Sequence, residues 1–228
     1  ADLPLDANQH APAWSPDGTR IAFASQRSGI TGVVSSIWTM RADGTDKRQL
    51  TAGHVFDDQA AWSPDGTRIA FVGYNLGVNE ADIFVVNADG SNPVNVTNTP
   101  TINEVAPAWS RDNNKIAYIR IANPDNSAIY SMSANGSNQT PLTNLSLTGL
   151  GITLGLGELK LAWSPDGTQL AFMDVGNSLD IFAVKADGSN RVNLTNTSDN
   201  DTYPDWQVAA PTPTTNPIDN TEFFVRQH

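Results

Sequence analysis

The chain has 228 residues, with 13 Lys plus Arg against 24 Asp plus Glu and a formal net charge of −11. That balance argues against nucleic acid and against an anionic membrane surface as partners, because both need a basic face. There is no cysteine, which removes disulfides, thiolate zinc sites and cysteine nucleophiles, and no apolar run approaches the ~20 residues of a membrane span.

From the N-terminus, the first recognisable phrase is Ala13-Trp14-Ser15-Pro16-Asp17-Gly18-Thr19-Arg20-Ile21-Ala22-Phe23. Ala-Trp-Ser reads as a short strand. Pro-Asp-Gly supplies turn chemistry, with Pro presetting φ and Gly accepting a positive one. Arg-Ile-Ala-Phe alternates polar and apolar, the period of a half-buried second strand. Ile37-Trp38-Thr39-Met40 is a third strand, and Asp43-Gly44 closes a tight hairpin into a fourth that ends at Leu50-Thr51.

The phrase returns at Ala61 to Phe71, followed by Ile83 to Val86, Asp89-Gly90 and Val96-Thr97. It returns at Ala108 to Tyr118, followed by Ile129 to Met132, Asn135-Gly136 and Leu142-Thr143. This third copy has Arg111 in place of Pro and Asn113 in place of Gly; Asn tolerates left-handed backbone, so the turn is expected to survive. An apolar, uncharged stretch over 145–157 follows, read either as a longer hairpin on the rim or as an exposed interaction patch. The fourth copy spans Ala162 to Phe172, then Ile181 to Val184, Asp187-Gly188 and Leu194-Thr195. Tyr203-Pro204-Asp205-Trp206 supplies only the first strand of a fifth unit.

A four-stranded repeat of about 40 to 50 residues has the period of a propeller blade. One such sheet leaves both faces apolar, and packing against neighbouring blades buries both. The expected fold is therefore all-β: a β-propeller of four complete four-stranded blades plus a partial fifth over residues 1–208. Its closure would come from the termini or from another chain. Residues 209–217 read as a Pro/Thr linker, and 218–228 as a tail that either docks as a strand or begins a further domain. Glu222, Phe223, Phe224 and Val225 are its candidate assembly residues.

These repeated phrases closely resemble the PD40 type of WD40-like repeat that builds the β-propeller of TolB-like proteins. The likeness covers roughly residues 9–207. It implies a secreted, periplasmic or cell-surface protein with a binding role, and it carries no catalytic motif to transfer. The chain has three histidines, His10, His54 and His228, and no Gly-x-Ser-x-Gly elbow. The expected function is a non-enzymatic protein-binding or assembly module. The alternatives are a carbohydrate-binding, lectin-like propeller and a self-assembling structural subunit of a surface polymer.

Five residues before each Trp stand Gln9, Asp57, Glu104, Glu158 and Asp201, four of them acidic. In a propeller this position enters the innermost strand, so the set would ring one mouth of the central channel. Two uses fit. The side chains can cap interblade loops through backbone N–H groups. Alternatively the ring can meet a basic segment of a partner, or Asp57, Glu104, Glu158 and Asp201 can ligate Ca²⁺ through oxygen. The turn residues Asp17, Asp43, Asp65, Asp89, Asp166 and Asp187 are read as turn chemistry.

Overall fold

A computed structural model describes residues 8–29, 32–52, 56–74, 80–147, 159–175, 178–208 and 221–224. They form four antiparallel four-stranded blades arranged as a propeller. The first blade holds β1 (Asn8–Trp14), β2 (Arg20–Gly29), β3 (Gly32–Arg41) and β4 (Arg48–Gln49). The second holds β5 (Phe56–Trp62), β6 (Arg68–Tyr74), β7 (Ala81–Asn87) and β8 (Val94–Asn95). The third holds β9 (Asn103–Trp109), β10 (Lys115–Asn123), β11 (Asn126–Ser133) and β12 (Thr140–Leu145). The fourth holds β13 (Leu161–Trp163), β14 (Gln169–Val175), β15 (Leu179–Lys185) and β16 (Val192–Asn193). A fifth sheet has two strands, β17 (Asp205–Val208) and β18 (Thr221–Phe224), with Trp206 opposite Phe223. The tail thus pairs with the strand that lacked partners in its own unit. The segment 209–220, Val225 and the stretch 148–157 lie outside the described residues.

The recurring phrase works as a closed hydrogen-bond network. In the first blade Ser15 Oγ donates to Asp17 Oδ1 (2.6 Å), and Asp17 Oδ1 also accepts the Thr19 N–H (3.0 Å). Ser15 Oγ in turn accepts the Arg20 N–H (2.9 Å), and Gly18 N–H closes on Ser15 O. Ser63, Asp65 and Thr67 repeat this, as do Ser110, Asp112 and Asn114, and Ser164, Asp166 and Thr168. The turn carboxylates are held below their ordinary range by these bonds, the Ser hydroxyl contributing most. Asn113 stands at φ 62 and its N–H bonds Ser110 O, so the altered third turn keeps the same closure. It also adds a link, since its side-chain oxygen accepts the Asp65 N–H of the preceding blade (3.0 Å).

The second strands depart from the half-buried expectation. β6 and β14 are buried along five consecutive residues each, on both faces. The reason is radial packing: each sheet has a blade on either side, so the residues that alternation assigned to solvent face a neighbour instead. One continuous core, including Ile83, Tyr118, Ile129, Phe172 and Ile181, runs through the second to fourth blades. A second, including Ile37, Ile69 and Phe71, joins the first to the second.

The tryptophans tie successive sheets together. Trp62 Nε1 donates to Ala13 O, Trp109 Nε1 to Ala61 O and Trp163 Nε1 to Ala108 O, each at 3.2 Å. Trp206 Nε1 donates to Ala162 O at 3.0 Å. Every acceptor is the residue just before the preceding unit's tryptophan. Three residues before Trp14, Trp62, Trp109 and Trp206 stand Ala11, Gln59, Ala106 and Tyr203, all with φ between 49 and 57°. In β1, β5 and β9 this is where the register slips, as at a β-bulge.

Candidate functional site

The described members of the acidic series do not share one setting. Gln9 is exposed on β1, whereas Asp57, Glu104 and Asp201 are buried. Asp57 accepts a short hydrogen bond from Thr51 Oγ1 at the end of the first blade. Asp201 accepts from Thr197 Oγ1 (3.0 Å), and its N–H bonds Leu179 O. Each thus pins the crossover from a fourth strand to the next inner strand. Glu104 is 0% exposed, and its carboxylate oxygens meet no hydrogen bond of good geometry, with Thr99 and Asp82 as the polar side chains that interact with them. Its nearest cation is Arg120, Nε to Oε1 3.8 Å. Burial pushes this carboxyl from 4.5 up to about 8, the Asp82 charge adding to the push while Thr99 and Arg120 pull against it. Glu158 lies outside the described residues. Among the described residues no group of three or more His, Asp or Glu side chains could hold a metal ion.

Two further buried aspartates carry loop chemistry that the repeat alignment overlooked. Asp82 accepts from Asn95 Nδ2 (2.8 Å), Thr97 Oγ1 (3.2 Å) and the Thr99 N–H (3.2 Å). Asp180 does the same with Asn193, Thr195 and Thr197. The signal was present: each Asp opens a third strand, and each loop reads Asn-x-Thr-Asn-Thr. The side-chain amides of Asn95 and Asn193, both in glycosylation-like sequons, are engaged here.

His10 Nε2 lies 3.4 Å from Asp58 Oδ1 across the first two blades, and burial raises the Asp58 carboxyl above its ordinary value. His54 and His228 lie outside the described residues.

The concave feature of interest is a groove of about 280 Å³ where the inner strands β9, β13 and β17 converge. Its wall is the repeat itself, with Trp109, Trp163 and Trp206 and the prolines Pro64 and Pro165. Its charged groups are Arg111, Lys160 and Asp205, all exposed, with Lys160 Nζ 3.5 Å from Asp205 Oδ2. Trp163 and Trp206 are half-buried, so parts of their indoles remain accessible, while Trp109 is buried with Arg68 stacked 4.5 Å over its ring. Two cations set among aromatics in a chain of net charge −11 form a locally distinct surface.

Comparison with known proteins agrees with this architecture. The TolB beta propeller domain (PD40) family matches residues 5–150. The chain belongs to that family. TolB from Acinetobacter baumannii superposes with a TM-score of 0.66 at 22% identity, over 82% of this chain and 43% of that one. A TolB-like structure from Agrobacterium tumefaciens gives 0.68 at 22% identity, over 87% and 65%. The chain therefore spans less than two thirds of either relative. A puromycin-hydrolyzing peptidase of Mycobacterium tuberculosis gives 0.69 at 22% identity, over 90% of this chain and 33% of that one, so a similar fold also occurs within an enzyme. No curated protein sequence matches the chain.

Proposed function

We propose that this PD40 propeller is a non-enzymatic, extracytoplasmic binding module that holds a protein partner in the groove of Trp109, Trp163 and Trp206. One observation carries the proposal. The groove's aromatic wall is the recurring part of the repeat, and its charged residues are the departures from it. Arg111 stands where the other units have Pro16, Pro64 and Pro165, and Asp205 stands where they have Ala13, Ala61, Ala108 and Ala162. An extended segment with proline or aromatic side chains and a carboxylate fits such a surface, with stacking for the rings and Arg111 or Lys160 for the charge. No residue of the chain repeats a known catalytic motif, and the His10–Asp58 pair has no nucleophile in a described contact with it.

The half-buried indoles of Trp163 and Trp206 also support a lectin-like reading, in which a sugar ring stacks in the same place. Selection of phage-displayed peptides against the full chain, beside a glycan array, separates the two. The expected result is acidic, proline- or aromatic-containing peptides whose binding falls in the Arg111→Glu/Lys160→Glu variant. Glycans bound in place of peptides would transfer the site to carbohydrate. Peptide binding indifferent to both substitutions would remove the groove from the account.

A further inference from the structure

The outer turns of the four blades share one hydrogen-bond pattern and differ at one residue. Asp43, Asp89 and Asp187 each accept, through Oδ1, the N–H and the hydroxyl of the residue two places on. These donors are Thr45, Ser91 and Ser189, at 2.9 Å for the N–H and 2.6 Å for the hydroxyl. The third blade has Asn135 at this place, and its Oδ1 accepts the same pair from Ser137, at 3.1 and 2.7 Å. Asn135-Gly136 is the single Asn-Gly pair in the sequence. Asn135 is exposed, and among the described residues its side-chain nitrogen donates no hydrogen bond.

Glycine has no side chain to hinder approach, so Asn-Gly is where a backbone nitrogen most readily attacks the preceding side-chain amide. The two Ser137 donors sit on the oxygen that gains negative charge in that attack, so the turn polarises the amide carbonyl. Two other features hold the reaction off. The Gly136 N–H donates to Ser133 O at 2.8 Å, which ties the attacking nitrogen into the turn. The turn is also seated on the second blade. A Cβ at Gly136 would overlap Val96 O, just as one at Gly90 would stand 3.0 Å from Leu50 O and one at Gly188 2.5 Å from Leu142 O. Gln139 Nε2 adds bonds to Gly136 O (3.3 Å) and Val96 O (3.5 Å). The peptide plane between residues 135 and 136 cannot rotate toward the side chain without leaving this seat.

We propose that Asn135 is a deamidation site gated by the seat of the third blade's outer turn on the second blade. When the turn opens, the Gly136 nitrogen loses its proton to solvent base and bonds Asn135 Cγ. The Cγ–Nδ2 bond breaks, ammonia leaves, and a succinimide ring closes. Water then opens the ring. Breaking the new N–Cγ bond restores the backbone with aspartate at 135. Breaking the original peptide C–N bond leaves isoaspartate, whose main chain is one carbon longer. One water enters and one ammonia leaves, with no change of oxidation state. The fold separates the two products. Aspartate is the residue of the other three outer turns, and it can accept both Ser137 bonds unchanged. Isoaspartate lengthens the chain where Gly136 has no room against Val96 O, so a ring that opens in the seated turn yields aspartate. The reaction adds one negative charge to the end of the blade that also carries the Arg111 turn, where the Ala134 N–H bonds Asn114 O (2.8 Å). This inference stands apart from the groove reading, because Asn135, Gly136 and Gln139 do not line the groove.

The test is peptide mapping by mass spectrometry of the full chain, aged at mildly alkaline pH both native and in urea. Deamidation adds about 1 Da at residue 135, and the aspartyl and isoaspartyl peptides separate by chromatography. The native rate should fall below the rate in urea by the same factor that slows hydrogen exchange at the Gly136 amide, roughly ten-fold or more, because both need the bond to Ser133 O to open. Gln139→Ala should raise the native rate several-fold and leave the rate in urea unchanged. Aspartate should prevail in the native protein, and isoaspartate should appear in urea. Asn135→Asp, which is the product itself, should melt with the wild type, and this measurement does not depend on how Gln139→Ala folds. Equal rates in native protein and in urea, a native rate indifferent to Gln139→Ala, or isoaspartate prevailing in the native protein overturns the proposal. So does an Asn135→Asp protein that melts below the wild type.

Discussion

Glu104 offers a quantitative test of how the second and third blades pack. Its carboxyl is fully buried, meets no hydrogen bond of good geometry and is pushed up to about 8, chiefly by burial. A carboxyl raised in the folded state holds its proton longer there than in the unfolded chain. The folded state therefore binds more protons between 4.5 and about 8, and stability falls as pH rises through that window. At about 1.36 kcal/mol per pH unit, the cost is near zero below 4.5, roughly 3 kcal/mol at pH 7, and levels off near 5 kcal/mol above pH 8. Glu104→Gln keeps the shape and removes the titration. Urea denaturation of both proteins from pH 5 to 9 should show the variant gaining on the wild type as pH rises, with the difference flat above pH 8. A difference independent of pH across this range would mean that Glu104 ionises normally in the fold, and the packing around Arg120 and Asp82 would have to be wetter than described.

Five other substitutions probe contacts within and between blades. Gly188→Ala would place a Cβ 2.5 Å from Leu142 O at φ 84, whereas Gly44→Ala at φ 81 meets nothing within 4 Å. The first should cost more than 2 kcal/mol and the second only the ~1–2 kcal/mol of a left-handed alanine, as read from denaturant midpoints; equal losses would refute the seating. Trp109→Phe loses the bond to Ala61 O and weakens the Arg68 stack, for about 1–2 kcal/mol, while Trp14→Phe should leave the melting temperature of the monomer unchanged. Arg191→Met removes the guanidinium that pairs with the buried Asp174 carboxylate, leaving it only the Ser146 and Val175 N–H groups on Oδ1, and should cost about 2–4 kcal/mol; a variant as stable as the wild type would show that these backbone donors suffice.

Much of the fold was legible because a repeat states the same physics four times. Ser-Pro-Asp-Gly-Thr announced its turn, and the structure shows Asp17, Asp65, Asp112 and Asp166 at the centre of identical networks. The positive-φ backbone at Ala11, Gln59, Ala106 and Tyr203 was not legible, since small, amide and aromatic side chains at one position carry no turn signal. At the first three, what fixes that backbone is the register of β1, β5 and β9 with their neighbours, a tertiary cause. Burial of Asp57, Glu104 and Asp201 was equally out of reach. Position in the repeat placed them at the entrance to each inner strand, but whether a side chain there faces the channel or folds back on its loop depends on the partner it finds. Thr51 and Thr197 supply that partner for Asp57 and Asp201.

The distinction between recurring and departing residues carries the functional argument further than any motif does. A side chain that recurs in every unit answers a need every unit has, and the tryptophans, turn aspartates and outer-turn glycines all serve contacts between or within blades. Such residues are poor evidence for a ligand even when they line a groove. Arg111, Lys160 and Asp205 are different, because no turn or blade contact of the repeat requires their charge. The third turn closes with Arg111 as it does elsewhere with proline. Arg111→Pro should therefore restore the repeat without loss of stability, with the rigidity proline gives such turns, while weakening whatever binds the groove.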